Sequence, residues 1–189
     1  MCSAISALNG ASYSGAVDVA ETGLRGMITL RGDFASKDFA AAVWQVLGAA
    51  LPAQRKTVTG KAGRVVWMSP DELLAVVEYG AAPKLAADLR TALAGQHHLA
   101  EVVSDARAVF SLTGAGWREV LAKGAPVDLA AQAFGPDDMR RSRLGQVAVA
   151  FWMVDDQCCE LVCFRSVAAF VFDWLKTAAA PKTLPGYFQ

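Results

Sequence analysis

Apolar residues in this chain come in short runs that end at a glycine and are followed by a helical stripe. Val109-Phe110-Ser111-Leu112-Thr113 stops at Gly114, and the amphipathic segment Trp117 to Ala122 is closed by Gly124 and Pro126. The same plan stands earlier. Ile28-Thr29-Leu30-Arg31 stops at Gly32, and Phe39, Val43, Val46 and Leu47 then recur at i, i+4, i+7 and i+8, one face of a helix. Ser36 is placed to cap that helix and Pro52 closes it. The β-rich runs Val65 to Met68 and Leu73 to Val77 flank Ser69-Pro70-Asp71-Glu72, whose Pro-Asp pair is turn chemistry, so they predict a hairpin. Leu85, Leu89 and Leu93 mark a second helix with Gly95 as its stop, and Ala100 to Ser104 reads as a strand.

From Leu24 the order is therefore strand, helix, hairpin, helix, strand, the split βαβ unit of ferredoxin-like folds. The second half repeats much of it. Strand Val109 to Thr113 and helix Trp117 to Ala122 are followed by an irregular segment through Phe134-Gly135-Pro136. A long strand Gly145 to Val154, a turn at Asp155-Asp156 and a return strand Cys159 to Phe164 come next. The last helix starts at a Ser166 cap and carries the stripe Val167, Phe170, Val171, Trp174 and Leu175, with no closing strand evident after it. The pattern predicts an α+β chain of two duplicated ferredoxin-like half-domains, 23–106 and 107–179. An Ala/Ser/Gly-rich arm, 1–22, precedes them and a tail, 180–189, follows.

Composition narrows the function classes. The chain is 54% hydrophobic, and its 18 basic residues balance 18 acidic ones, so no general field draws nucleic acid or an anionic membrane. The longest apolar run, Val147 to Val154, is far short of the ~20 residues of a spanning helix, and the N-terminus lacks the charged and apolar regions of a signal peptide. The expectation is a soluble, cytoplasmic protein. The cysteines, Cys2, Cys158, Cys159 and Cys163, form no disulfide framework and read as reduced, buried thiols.

Local motifs supply little chemistry. Thr59-Gly60-Lys61-Ala62 falls short of a phosphate loop, with Arg55 where its first glycine belongs and Ala62 where Ser or Thr belongs. Gly114-Ala115-Gly116 opens a helix after a strand, but Glu119 replaces the third glycine of a dinucleotide fingerprint and brings negative charge to the wrong place. His97 and His98 share one turn, and no nucleophile–base order is suggested around them. No catalytic, cofactor-binding or metal-binding residue is therefore assigned. Arg55 and Lys56 in the basic loop, and Arg140, Arg141 and Arg143 beside Asp137-Asp138, are the candidate partner contacts, set to fix register by charge. Trp44, Trp67, Trp117, Trp152 and Trp174 default to the core, with interface anchoring as the second reading.

Several stretches together resemble the gamma subunit family of heterotetrameric sarcosine oxidase. They are Trp67-Met68-Ser69-Pro70-Asp71-Glu72-Leu73-Leu74, Leu112-Thr113-Gly114, Val120 to Leu129 with its Leu-Ala-Lys-Gly-x-Pro-x-Asp-Leu segment, and Cys163-Phe164-Arg165-Ser166-Val167-Ala168 with Trp174-Leu175. Ser69 and Leu73 depart from the family's usual glycine and second tryptophan. The resemblance implies a fold like the folate-binding fold of the glycine-cleavage T-protein. It also implies an accessory role beside alpha, beta and delta subunits. That complex oxidises sarcosine to glycine, passes electrons through FAD and FMN to oxygen, makes hydrogen peroxide, and gives the one-carbon unit to tetrahydrofolate. The FAD, FMN, NAD and zinc belong to the other subunits, and self-association of this chain alone is expected. The alternatives are a stand-alone folate-like small-molecule binder, with Arg140, Arg141 or Arg143 on a glutamate tail, and an RNA-binding module, for which no stacking strand is found.

Overall fold

The stretch read as an Ala/Ser/Gly-rich arm carries two strands, β1 (Ser12–Tyr13) and β2 (Asp18–Glu21). The computed structural model describes residues 3–188, with Met1, Cys2 and Gln189 outside the described residues. Val17 and Val19 are fully buried and alternate with Asp18 and Ala20, which is strand periodicity over so few residues that composition masks it. β2 pairs antiparallel with β8 (Arg107–Thr113), from Asp18↔Thr113 to Glu21↔Phe110. The chain divides into two compact units. One is Arg25–Ser104; the other joins the N-terminal residues up to Leu24 to those from Asp105 onward.

The unit Arg25–Ser104 runs β3 (Gly26–Arg31), α1 (Lys37–Leu47), β4 (Thr57–Thr59), β5 (Gly63–Ser69), β6 (Glu72–Val77), α2 (Ala82–Ala92) and β7 (Leu99–Val102). Its sheet order is β4-β5-β6-β3-β7, with every neighbouring pair antiparallel. Ser36 caps α1 as expected: its Oγ accepts from the Phe39 N–H at 3.3 Å. Gly48 ends the helix in the left-handed region, φ 64°, and gives its N–H to the Trp44 carbonyl. Phe39, Ala42, Val43 and Leu47 of α1, with Ala82, Ala86 and Leu89 of α2, pack on Ile28, Leu30, Val65, Leu73 and Ala75. Each of the fully buried Val, Leu, Ile and Phe side chains among these stabilises by about 1.5–3 kcal/mol. The hairpin turns at Ser69 to Glu72 as read, whereas β4 was hidden in the basic loop. It is three residues long and pairs Thr57 to Thr59 with Val66 to Arg64; the Arg64 guanidinium also donates to Thr57 Oγ1 at 2.7 Å.

The other unit continues from β8 through α3 (Trp117–Ala122), β9 (Met139–Leu144), β10 (Val147–Asp155), β11 (Cys158–Phe164) and α4 (Ala168–Ala178). Its sheet order is β1-β2-β8-β11-β10-β9, again antiparallel throughout. In the first unit the strand beside β3 on the side away from β6 is β7, which follows α2. In this unit the strand beside β8 on the side away from β11 is β2, which comes from the N-terminus. The closing strand missing after α4 is thus supplied from the other end of the chain segment.

Three local expectations need correction. β9, Met139-Arg140-Arg141-Ser142-Arg143-Leu144, lay unrecognised because only its end residues are buried and its middle is charged. The β10–β11 turn falls at Asp156-Gln157, since Asp155 still pairs with Cys158. Ser166 does not cap α4: Arg165–Val167 forms a 3-10 turn and Val167 precedes the helix with no side-chain cap. Starting later rotates the buried stripe to Ala168, Val171, Leu175 and Ala178, and Phe170 turns outward.

Segments near both ends of the described residues are tied to this unit by buried carboxylates. Glu21 accepts from Ser6 Oγ at 2.7 Å, the Leu8 N–H at 3.0 Å and the Gly10 N–H at 2.8 Å. Asn9 and Gly10 there adopt positive φ, which turns their neighbours' N–H groups inward. Glu119, only 3% exposed, accepts from the Gly186 N–H at 2.8 Å and the Phe188 N–H at 3.3 Å. The expected tail is therefore anchored. Glu119→Ala strands two tail donors, and bonds to a charged acceptor are worth about 1.5–3 kcal/mol each. Faster tryptic cleavage after Lys182, with the rest of the chain unaffected, is the expected result. Cleavage at the wild-type rate would show that the tail is held by other contacts.

Candidate interaction surface

The motif Leu121-Ala122-Lys123-Gly124-Ala125-Pro126-Val127-Asp128-Leu129 builds one corner of the second unit. Lys123 reaches the open end of α4: its Nζ donates to the Ala178 carbonyl at 2.6 Å and to Thr183 Oγ1 at 3.0 Å. That satisfies a carbonyl the helix leaves unpaired. Burial holds the Lys123 pKa below the usual ammonium value, with the Glu119 carboxylate opposing the shift. Gly124 lies flat under Trp174, so close that a Cβ there would stand 2.4 Å from Trp174 Cζ2. Asp128 closes its own turn by accepting from the Ala130 N–H at 2.9 Å. Arg118, one turn earlier, spans the following loop, donating to the Leu129 carbonyl at 2.8 Å and the Phe134 carbonyl at 2.7 Å with its guanidinium over the Trp117 ring. Arg165, also part of the resembling stretches, donates to the carbonyls of Ile5 and Ser6 at 3.0 and 3.2 Å. Most of the motif's polar side chains thus hold the chain's own loops and ends.

The candidate partner contacts divide between the units. Arg55 and Lys56 sit on a turn before β4, where the Lys56 N–H donates to the Ala53 carbonyl at 3.0 Å and Arg55 adopts φ 61°. Arg55 is exposed; Lys56 is half-buried and has a partner within the protein. Arg140, Arg141 and Arg143 lie on β9, an edge strand of its sheet. Strand alternation separates them. Arg141 and Arg143 share one face, while Arg140 turns to the helix side, donates to the Ala133 carbonyl at 2.7 Å and stacks over Phe134. Arg140 therefore clamps the preceding loop. Arg141 also has a partner within the protein, and Arg143 is exposed.

Cys159 and Cys163 share the helix side of β11 within the core, as strand alternation predicts. Burial pushes the Cys163 thiol up to about 12 and the Cys159 thiol well above its ordinary value. A raised folded-state pKa favours the neutral thiol, so the stabilisation is full below the unfolded thiol's pKa. It is lost as pH rises from about 8.5, the free-thiol value, toward 12. Alkylation at pH 8 is expected to spare both thiols until denaturant is added, read by mass spectrometry. Labelling of either in the native protein would refute their burial. Among the described residues no group of three or more His, Cys, Asp or Glu side chains is placed to hold a metal ion. The position of the fingerprint's third glycine holds Glu119, whose carboxylate is occupied by the tail, so the dinucleotides FAD and NAD do not fit this turn.

The surface does carry a groove that the sequence pattern assigned to the core. Phe170, Asp173, Trp174, Thr177 and Ala178 of α4 line it with Lys123, around a volume of about 450 Å³ open to solvent. Phe170 is 52% exposed and Trp174 is half-buried against Gly124. Phe170 was missed because a stripe read at i, i+3 and i+4 from Val167 is one residue wider than the face this helix buries. On the other unit Trp44 is 63% exposed on α1. No helix among the described residues is long and apolar enough to cross a membrane.

An α+β chain with two antiparallel sheets, its motif side chains spent on its own loops and its surface marked by an apolar groove, is built as a docking module. The chain belongs to the sarcosine oxidase gamma subunit family, whose model matches residues 31–181. It is 31% identical over 166 residues to the sarcosine oxidase subunit gamma of Corynebacterium sp. (strain P-1), covering 87% of this chain and 80% of that protein. Among solved structures it is similar to a chain of the heterotetrameric sarcosine oxidase from Corynebacterium sp. U-96 in complex with pyrrole 2-carboxylate. The TM-score is 0.80 at 27% identity, over 89% of this chain and 87% of that one. The aminomethyltransferase T of the Bartonella henselae glycine cleavage system shares the fold, with a TM-score of 0.59 at 13% identity over 85% of this chain and 46% of that one.

Proposed function

We propose that this chain is the accessory gamma subunit of a heterotetrameric sarcosine oxidase and acts by association. The observation that carries the reading is the similarity, over nearly the full length of both chains, to a chain of such a heterotetramer. Its partners are the alpha, beta and delta subunits of a cytoplasmic complex. Those subunits hold FAD, FMN, NAD and zinc, oxidise sarcosine to glycine with formation of hydrogen peroxide, and pass the one-carbon unit to tetrahydrofolate. This chain holds none of these groups and contributes surface. Permanent interfaces of this kind bury upward of about 2,000 Å². Arg55 and Arg143, exposed on a turn and on an edge strand, set register by charge, with Lys56 and Arg141 beside them in sequence. Arg140 contributes indirectly, by holding the loop that precedes β9.

The two units are read as copies of one ferredoxin-like plan. The orders β7-β3-β6-β5 and β2-β8-β11-β10, with helices after β3, β6, β8 and β11, support that reading. β2 then takes the place of β7 in the second copy, a permutation that a search for strand order along the chain does not reveal.

The test is co-expression of the tagged chain with alpha, beta and delta subunits, followed by an assay of sarcosine-dependent peroxide. A stoichiometric flavin-containing complex, assembling poorly when this chain is omitted, is the expected result. Assembly and full turnover of the other three without it would refute the accessory role. Expressed alone, the chain is expected to self-associate, visible as a concentration-dependent mass in light scattering.

A further inference from the structure

The groove on α4 combines three features that point to one kind of occupant. Its floor is apolar and aromatic, with Phe170 and Trp174 one helical turn apart and Ala178 below them. Its volume of about 450 Å³ takes one large side chain and its neighbour rather than a whole domain. Lys123 also lines it, held in place by two neutral acceptors, the Ala178 carbonyl and Thr183 Oγ1. An ammonium has three donors, so one N–H of Lys123 remains for a further acceptor. The acidic side chains nearby are engaged elsewhere. Asp173 pairs with Lys176 at 3.3 Å, and Glu119 serves the N–H groups of Gly186 and Phe188. The groove is therefore mostly apolar, with the Lys123 ammonium on its lining and the Asp173 carboxylate there paired to Lys176.

We propose that this groove receives an apolar or aromatic side chain followed closely by a carboxylate, on a segment of one of the larger subunits of the complex. The inference rests on the accessory-subunit reading and names the surface through which that association runs. The apolar side chain lies on Phe170 and Trp174, and the carboxylate takes the remaining N–H of Lys123. The chain's own C-terminal segment does not fill the groove, because Gly186 and Phe188 are fixed on Glu119 and Leu184 lies against Gly116. Well-packed, desolvated aromatic anchors are the usual centres of binding energy in such contacts.

The test uses the tagged chain in the co-expressed complex. Phe170→Asp and Thr177→Glu alter exposed positions of α4, and the Thr177 hydroxyl bonds only within its own helix, so the fold is expected to survive both. Phe170→Asp is expected to lower the recovered complex at least about tenfold, the scale of a lost anchor side chain. Thr177→Glu places a carboxylate beside Lys123 and is expected to weaken recovery more than Thr177→Lys, which has similar bulk and the opposite charge. Trp44→Ser on the other unit is the comparison and is expected to recover at the wild-type level. Unchanged recovery of Phe170→Asp, with wild type pulling down the complex, overturns this inference and leaves the accessory role standing. Equal weakening by Thr177→Glu and Thr177→Lys overturns the carboxylate. Failure of wild type itself to pull down the complex overturns both. Should Phe170→Asp abolish only the self-association of the isolated chain, the occupant is a second copy and the inference falls.

Discussion

Removing residues 1–22 is expected to leave an insoluble or grossly destabilised chain, although composition marks that stretch as expendable. The deletion takes away Val17 and Val19, fully buried in the second unit's core, at about 1.5–3 kcal/mol for each side chain. It also removes Glu21 with its three donors, and the strand that pairs β8 from Asp18↔Thr113 to Glu21↔Phe110. The exposed edge of β8 is then a template for pairing with other chains. These losses together rival the 5–15 kcal/mol by which an ordinary domain is stable. Soluble yield and the near-ultraviolet circular dichroism of the product decide the matter. A soluble deletion product with the wild-type spectrum would mean that β2 is a passenger. The C-terminal counterpart, residues 184–188, is held by fewer contacts and its loss is expected to be milder.

The second large effect separates tryptophans that look alike in the sequence. Trp117→Ala is expected to cost about 3–5 kcal/mol, the range for a large buried aromatic. Its ring is fully buried, meets Phe134 edge-on at 6.0 Å, lies under the Arg118 guanidinium at 4.5 Å and gives its indole N–H to the Asp156 carbonyl at 3.1 Å. Trp44→Ala, at a position 63% exposed, is expected to stay within about 0.5 kcal/mol of wild type. Urea unfolding of the two variants side by side measures the contrast. Equal stabilities would mean that the burial of Trp117 counts for nothing, which its contacts do not allow.

Where the sequence was legible, a local signal agreed with burial. Ser36, the Pro70-Asp71 turn and the Phe39-Val43-Leu47 stripe each act within a few residues, so no partner strand was needed to read them. β2 and β9 were not legible for opposite reasons. β2 is short and flanked by small residues, and only its pairing with β8 makes it a strand. β9 is polar along its middle because it is an edge, where charge discourages pairing with other chains. Of the candidate contacts, the Arg140-Arg141-x-Arg143 spacing was visible, but the alternation that turns Arg140 inward depends on where β9 starts. The α4 groove was the least legible feature. Phe170 satisfies a helical stripe on paper, and one 3-10 turn at Arg165–Val167 moves it out of the core.

The origin of β2 also sets a timetable for synthesis. Ser111 and Ala20, hydrogen-bonded across β8 and β2, are 91 residues apart. At about 5–20 residues per second the ribosome needs roughly 5–20 s between them, ample time for residues 25–104 to fold while the first two dozen trail without a sheet. The segment carrying Val17 and Val19 is thus made well before its partner strand and is among the last to be placed. During that interval it is the stretch a holding chaperone would find, and slow codons just before position 105 would lengthen its exposure.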